Sequence, residues 1–354
     1  MDRPPSGVLL MTYGSPASLE RPDIAAYLAR VRGGREPGDE LVDEFTRRYR
    51  VIGGSPLIEI TRRQAAALEA LISWPVDIGM RFSAPTIEDG LRSLAGRGVE
   101  RVAAIILSPQ FSPLLMGGYE RAIHHAREAI GHDAPDVALA GPWHTEPAFV
   151  DALADRIRGR LAALDDRDGV PILMTAHSLP RRVAEQEPGY IEQLRATAAL
   201  IANRAGLTDD RWRFCWQSAG HEPGEWMKPD FADLMPELAA QGHRTVLIAP
   251  VQFLADHLEI LYDVDIGARE QAERVGLTFA RIDSLNDDPG LIRALAAVAG
   301  RTVPEPGPRA VASGRQAELI ADAPRPGDCL PRSCRPSPAP SSSASFRTRS
   351  GRRD

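Results

Sequence analysis

Short apolar runs rich in branched side chains recur along the chain and alternate with longer amphipathic segments. The runs predict strands over 8–13, 76–83, 101–108, 136–141, 170–176, 212–217, 244–251 and 277–282. Between them, segments such as 57–72 and 148–164 carry apolar residues at helical spacing. Strands that alternate with helices predict mostly parallel sheets with helices on both faces.

Two of these runs end in similar sequences. Residues 7–16 read GVLLMTYGSP and residues 171–180 read PILMTAHSLP, so the same apolar run and Met-Thr pair occur twice. The repeat predicts an α/β fold of two Rossmann-like lobes, 1–145 and 146–303, with parallel sheets flanked by helices and an active-site cleft between the lobes. Ligands bind beyond the carboxyl ends of such strands, which is where Tyr13 and His177 would lie.

Composition and charge narrow the function. Residues 304–354 hold nine prolines, eight serines and one aromatic residue, which predicts a disordered tail. This tail has a net charge of +4 and the rest of the chain −10, so nucleic acid is not an expected partner. No apolar run is long enough for a membrane span, and the N-terminus has no signal-peptide layout. We expect a cytoplasmic protein.

Familiar cofactor and hydrolase motifs are missing from the strand ends. Neither YGSPAS nor HSLPRR contains G-x-G-x-x-G, so a dinucleotide is not expected in this fold. Ser178 follows His177, but no G-x-S-x-G elbow is present, which disfavours a serine hydrolase.

An acidic stripe follows the strand that ends near Val251. Asp256, Glu259 and Asp263 stand at i, i+3 and i+7 of a helix whose start we place at Asp256. One interpretation is a solvated helix face near a helix N-terminus. The other is a row of oxygen ligands suited to a hard divalent cation on the ligand side of the sheet.

Six motifs occur in an order and spacing that resembles the ferrochelatases. They are LLMTYGSP, VRGGREP, RRYRVIGGSPL, MTAHSLPRRV, WQSAGHEPGEWMKPD and VQFLADHLEILYD. The resemblance covers the chain from Gly7 to about residue 300 and does not include the tail. Tyr13 in the first motif is similar to the branch that metallates coproporphyrin III.

The resemblance implies a lyase-type chelatase that inserts ferrous iron into a porphyrin, coproporphyrin III above all, in haem biosynthesis. His177 and Glu259 would be the catalytic residues and metal ligands, because an imidazole can both accept a pyrrole proton and bind iron. Asp256 and Asp263 would relay metal or protons. The family carries such a carboxylate row on a partly π-wound helix.

The resemblance also implies a set of porphyrin-binding residues, whose arginines suit carboxylates: Tyr13, Arg32, Arg48, Tyr49, Ser55 and Tyr119. Some positions depart from the family. Arg32-Gly33-Gly34 stands where the family often has two basic residues before a glycine, and Gln110 stands where histidine is common. These departures leave the choice of porphyrin open.

Cofactor and partner expectations complete the hypothesis. We expect no required cofactor, with ferrous iron as substrate, and no [2Fe–2S] cluster, because four thiolates are needed and only Cys215, Cys329 and Cys334 exist. We expect a monomer, with a transient contact to a membrane or another haem-pathway enzyme left open. The alternatives are a protoporphyrin IX ferrochelatase, a cobalt chelatase of the cobalamin pathway and a non-catalytic porphyrin or haem carrier.

Overall fold

The computed structural model describes residues 5–165, 167–220 and 224–303. All the predicted strands form, with bounds β1 Ser6–Thr12, β2 Val76–Met80, β3 Arg101–Ile106, β4 Asp136–Leu139, β5 Ile172–His177, β6 Trp212–Gln217, β7 Thr245–Pro250 and β8 Thr278–Arg281. The tail predicted to be disordered, 304–354, lies outside the described residues.

Helices connect the strands. They are α1 Arg21–Val31, α2 Asp39–Val51, α3 Leu57–Ile72, α4 Ile87–Gly96, α5 Pro113–Ile130, α6 Pro147–Ala162, α7 Arg181–Gln186, α8 Pro188–Ala205, α9 Phe231–Ala240, α10 Arg269–Arg274 and α11 Pro289–Thr302. A 3₁₀ turn spans Gly131–Asp133, and a π-helix spans Glu259–Ala268. None of the helices in these ranges has the length and apolarity that crossing a bilayer requires.

The strands form two parallel sheets with the same topology. The first has the order β2-β1-β3-β4 and the second β6-β5-β7-β8. In each sheet the chain first adds a strand on one side of the starting strand and then crosses to the other side. The direction of winding therefore reverses between β1 and β3, and again between β5 and β7. Such switch points are where open α/β sheets bind ligands.

The central strand β1 shows why its sequence is apolar without alternation. Leu10 packs in one core cluster, whereas Leu9 and Met11 pack in another on the opposite face. All three side chains are fully buried. A parallel strand covered by helices on both faces needs apolar residues at every position. Burial of each such side chain stabilises the fold by about 1.5–3 kcal/mol.

The last described helix returns to the first sheet. Helix α11 packs against α6 and also against α3 and β3. Val8, Ile172 and Leu291 accordingly belong to one buried cluster that includes residues of both sheets. The two-lobed parallel α/β fold is confirmed, and the lobe boundaries 1–145 and 146–303 stay predictions.

Candidate active site

A cavity of about 470 Å³ lies at the carboxyl ends of β1, β3, β5 and β7. Both topological switch points therefore open into one space. Its polar lining is contributed by Thr12, Tyr13, Tyr27, Tyr49, Ser55, Gln64, Ser108, Tyr119, His177, Tyr190, Gln252, His257 and Glu259. A second depression, on the outer side of α3 and β2, is lined by Arg62, Glu69 and Asp77 and lies away from the strand ends.

His177 is the last residue of β5 and lines the cavity. Its backbone N–H donates to Gln252 Oε1 at 2.7 Å, and Gln252 Nε2 donates to the Tyr190 hydroxyl at 2.7 Å. The ring Nδ1 lies 2.6 Å from the carbonyl oxygen of Ser178. A carbonyl can only accept, so Nδ1 carries the proton and Nε2 keeps its lone pair. That tautomer lets Nε2 accept a proton or bind a metal ion.

Glu259 begins the π-helix and pairs with a second histidine. Its Oε2 lies 3.0 Å from His257 Nε2, and His257 Nδ1 lies 2.7 Å from the carbonyl oxygen of Ala255. Both ring nitrogens of His257 therefore face acceptors, which favours the imidazolium.

The charges of this pair stabilise each other. Burial opposes a charge on His257, but the charge and hydrogen bond of Glu259 outweigh it and raise the pKa of the imidazole. Burial also opposes the charge on Glu259, yet His257 and then His177 lower the pKa of its carboxyl to about 2. The site thus holds a half-buried ion pair of His257 and Glu259 beside His177.

Asp263 follows Glu259 by four positions in the π-helix. Burial raises the pKa of its carboxyl, a hydrogen bond with Ser218 lowers it, and the charge of Glu259 raises it again. Its Oδ1 lies 3.4 Å from Arg48 Nη1. Asp263 therefore senses the charge of Glu259 and also contacts Arg48 of α2.

Asp256 departs from the predicted stripe. The helix begins at Glu259, so the prediction that Asp256 starts it is wrong. The Asp256 carboxylate accepts hydrogen bonds from Ser284 Oγ at 2.7 Å and Asn286 Nδ2 at 2.9 Å. It is committed to the loop after β8, and its place in a metal or proton relay stays a prediction.

The predicted porphyrin contacts divide into two groups. Tyr13, Tyr49, Ser55 and Tyr119 line the cavity. Tyr13 is 47% exposed, and its ring meets Phe82 edge-on with centroids 4.7 Å apart. The protein around it still raises the pKa of its phenol by desolvation, against the lowering charge of Arg81.

The two arginines of that set are not among the residues that line the cavity. Arg48 donates from Nε to Glu44 Oε1 at 2.7 Å and lies over the Tyr262 ring at 5.0 Å. Arg32 follows the end of α1, and its Nε is buried without a hydrogen-bond partner in the described structure. Their contact with a porphyrin stays a prediction.

One of the three cysteines, Cys215, lies within the described residues. Cys215 is fully buried in β6, and burial raises the pKa of its thiol, which makes it unreactive. Cys329 and Cys334 lie outside the described residues. Across the described ranges, no three His, Cys, Asp or Glu side chains converge as a metal site.

Sequence reasoning missed His257, Gln252 and Tyr190. His257 stands between two residues that were singled out, and an imidazole two positions from Glu259 was a visible signal. Gln252 and Tyr190 carry no motif of their own. Only the fold brings Gln252 to the backbone N–H of His177 and Tyr190 to Gln252.

The fold and the site define a class: a two-lobed α/β chelatase with a histidine and carboxylates at the strand ends of its cleft. The family model described as ferrochelatase matches residues 5–302. The chain therefore belongs to the ferrochelatase family, the lyases that insert ferrous iron into a porphyrin during haem biosynthesis.

Individual relatives agree with this assignment. A protein named ferrochelatase from Deinococcus radiodurans is 42% identical over 85% of this chain and 97% of its own length. One named coproporphyrin III ferrochelatase from Halalkalibacterium halodurans is 35% identical over 84% of this chain and 97% of its own length. The solved structure of SirB from Bacillus subtilis with Fe3+ has a TM-score of 0.54 at 12% identity, covering 85% of this chain and 96% of its own. That likeness shows the fold alone.

Proposed function

We propose that this protein inserts ferrous iron into coproporphyrin III. The observation that carries the proposal is one cavity, open to both switch points, in which Tyr13, His177 and Glu259 all line the wall. Relatives named coproporphyrin III ferrochelatase, at 33–36% identity over most of the chain, support the choice of porphyrin.

Insertion replaces two pyrrole protons by one ferrous ion and releases both protons. His177 Nε2 would accept a pyrrole proton, because its Nδ1 is fixed as the donor to the carbonyl of Ser178. The carboxylate of Glu259 would stabilise the imidazolium that forms and provide an oxygen ligand to the entering iron. His257 keeps that carboxylate ionised through the 3.0 Å contact. The four porphyrin nitrogens supply the remaining ligands.

The porphyrin itself would lie against Tyr13 and the buried tyrosines of the first lobe. Tyr49 and Tyr119 give the wall an apolar face. Arg48 and Arg32 would bind propionates at the rim, where Arg48 would leave part of its contact with Asp263. Four propionates distinguish coproporphyrin III from the more apolar protoporphyrin IX.

The proposal includes no resident cofactor and treats iron as substrate. It also takes the protein to be a cytoplasmic monomer without nucleic acid as a partner. The monomer is checked by light scattering of the full chain after gel filtration.

The function is tested by anaerobic absorbance spectroscopy of purified protein with ferrous iron and one porphyrin at a time. We expect rapid conversion of coproporphyrin III to its iron complex and slower conversion of protoporphyrin IX. Faster turnover of protoporphyrin IX would overturn the choice of substrate. Binding of both porphyrins with no iron insertion would make the protein a carrier.

A further inference from the structure

We propose that Arg281 is a positioning residue for iron insertion, because it joins Asp256 and Asp265, the carboxylates on either side of His257 and Glu259. Its guanidinium donates from Nε to Asp265 Oδ1 at 2.6 Å and from Nη2 to Asp265 Oδ2 at 3.0 Å. Its Nη1 lies 3.7 Å from Asp256 Oδ1. One buried cation therefore faces two carboxylates that bracket the catalytic segment.

The π-helical winding of this segment explains why a contact from outside the segment matters. Glu259 belongs to a π-helix of ten residues, Glu259–Ala268. This i→i+5 winding is rare, appears mostly as single turns and is frequent at functional sites. A segment so wound needs contacts outside itself to be preferred over an α-helix. Asp265 lies inside the π-helix, so the Arg281 fork is such a contact.

The other end of the segment is held from the same loop. Asn286 Oδ1 accepts from the Asp256 backbone N–H at 2.9 Å, and Asn286 Nδ2 donates to Asp256 Oδ2 at 2.9 Å. The Asn286 N–H also donates to the carbonyl of Leu254 at 2.7 Å. The loop that follows β8 thus fixes the chain before His257, while Arg281 at the end of β8 fixes it after Glu259.

Burial and geometry favour arginine over any other cation here. The side chain of Arg281 is 14% exposed, and that of Asp265 is 26% exposed. A planar guanidinium can satisfy both oxygens of Asp265 at once, and its third nitrogen donates to the carbonyl of Ile282 at 2.9 Å. A lysine ammonium is a point donor and cannot hold two oxygens in this fixed fork. The position therefore discriminates between two residues of equal charge.

The first test compares Arg281→Lys with wild type in steady-state iron insertion. Loss of an outer contact that orients a metal-binding group typically costs about ten- to a hundredfold. We expect kcat to fall by about that factor, with the KM for coproporphyrin III within about twofold of wild type. Arg97→Lys is the matched control, because Arg97 forks Glu69 at 2.6 and 3.1 Å far from the cavity. It should keep wild-type kcat.

A double-mutant cycle shows whether Arg281 acts through Asp265. If it does, the Arg281→Lys, Asp265→Asn double variant should turn over about as slowly as the worse single variant. Losses that multiply would overturn the proposed path. Wild-type kcat in Arg281→Lys would overturn the proposal altogether.

A second measurement does not depend on turnover. It is needed because the kinetic experiment rests on the proposed function. Amide hydrogen exchange over 257–268 should speed up in Arg281→Lys and stay unchanged in Arg97→Lys, with both melting temperatures recorded. Unchanged exchange over 257–268 would overturn the positioning role. If wild-type protein inserts no iron into either porphyrin, the proposed function fails while the exchange comparison still decides this inference.

Discussion

Of the two ring nitrogens of His177, Nδ1 is hydrogen-bonded within the protein and Nε2 is available to a ligand. The carbonyl oxygen of Ser178 accepts a hydrogen bond from Nδ1–H, and Gln252 Oε1 accepts one from the backbone N–H at the strand end. Strand β5 ends at His177, and Pro180, just before helix α7, keeps the strand from continuing.

We predict that His177→Ala abolishes insertion and leaves porphyrin binding within a few-fold of wild type. The variant loses the proton acceptor and metal ligand, but the tyrosine wall stays in place. Turnover and quenching of porphyrin fluorescence are measured on the same sample. His132→Ala, on a side chain that is 92% exposed, is the control. Retention of more than a tenth of wild-type turnover would remove His177 from the mechanism.

Glu259 and Asp263 carry the same charge in one π-helix but have different partners. We predict that Glu259→Gln lowers turnover at every iron concentration, because it breaks the ion pair with His257 beside the base. Asp263→Asn should mainly raise the apparent KM for iron and be partly rescued by excess metal. Melting curves are needed, since Asp263→Asn also removes one of the two carboxylate partners of Arg48. Equal turnover of the two variants at saturating iron would mean that Glu259 and Asp263 only form a solvated face of the helix.

Some site residues could be identified from the sequence alone and others could not. His177 and Glu259 could be named from motifs. His257 could not be assigned a role, because nothing in DHLE says whether its ring turns to the carboxylate or to the core. The partner of Asp263, Arg48, lies 215 positions away and needs the fold.

At the scale of elements, periodicity located all the described strands and the helix over 57–72. It failed where the winding is not α-helical. A spacing of i, i+3 and i+7 assumes 3.6 residues per turn, and a π-helix with i→i+5 bonding changes the angle between the same positions. Asp256 drops out of the stripe for a different reason: it lies before the helix, and its carboxylate is bonded to Ser284 and Asn286.

A cluster of ion pairs within α2 gives a prediction for pH. Hydrogen bonds from Arg47 and Arg48 lower the pKa of the Glu44 carboxyl to about 2, against about 4.3 in an unfolded chain. Glu44 therefore stabilises the fold above about pH 4.3, and this contribution is lost as the pH falls towards 2.

We predict that Glu44→Gln lowers the free energy of unfolding at pH 7 by at most about 1 kcal/mol, because the pair is partly solvated. Urea unfolding at pH 7, 4.5 and 3 measures the difference from wild type, which should be nearly the same at pH 7 and 4.5 and clearly smaller at pH 3. A difference that stays constant to pH 3 would show that the carboxyl keeps an ordinary pKa.

At the scale of the whole molecule, the similar sequences GVLLMTYGSP and PILMTAHSLP predicted two Rossmann-like lobes. The structure contains two parallel sheets of the same topology. The return of α11 to the first sheet was not visible, because its apolar residues fit a helix packed against either lobe. The expected ligand position at the carboxyl ends of the strands agrees with the cavity. Of its tyrosines, the resemblance implied Tyr13, Tyr49 and Tyr119 but not Tyr27 or Tyr190.

Truncation after Val303 tests where the folded unit ends. Val303 is 3% exposed and packs in the shared core, so the cut must follow it. The family match ends at residue 302. We predict that the truncated protein keeps turnover within twofold and its melting temperature within about 2 °C. A larger loss of either would show that residues 304–354 contribute to the enzyme, and truncation after Ala299, which removes core, serves as the contrasting control.

The central claim is that one cavity brings a porphyrin and ferrous iron to His177. The most direct measurement follows absorbance anaerobically with wild-type protein, ferrous iron and coproporphyrin III, beside His177→Ala and beside protoporphyrin IX. The predicted result is iron coproporphyrin formed catalytically by wild type, little product from the variant and slower use of protoporphyrin IX. Porphyrin that binds to wild-type protein but never gains iron would contradict the account.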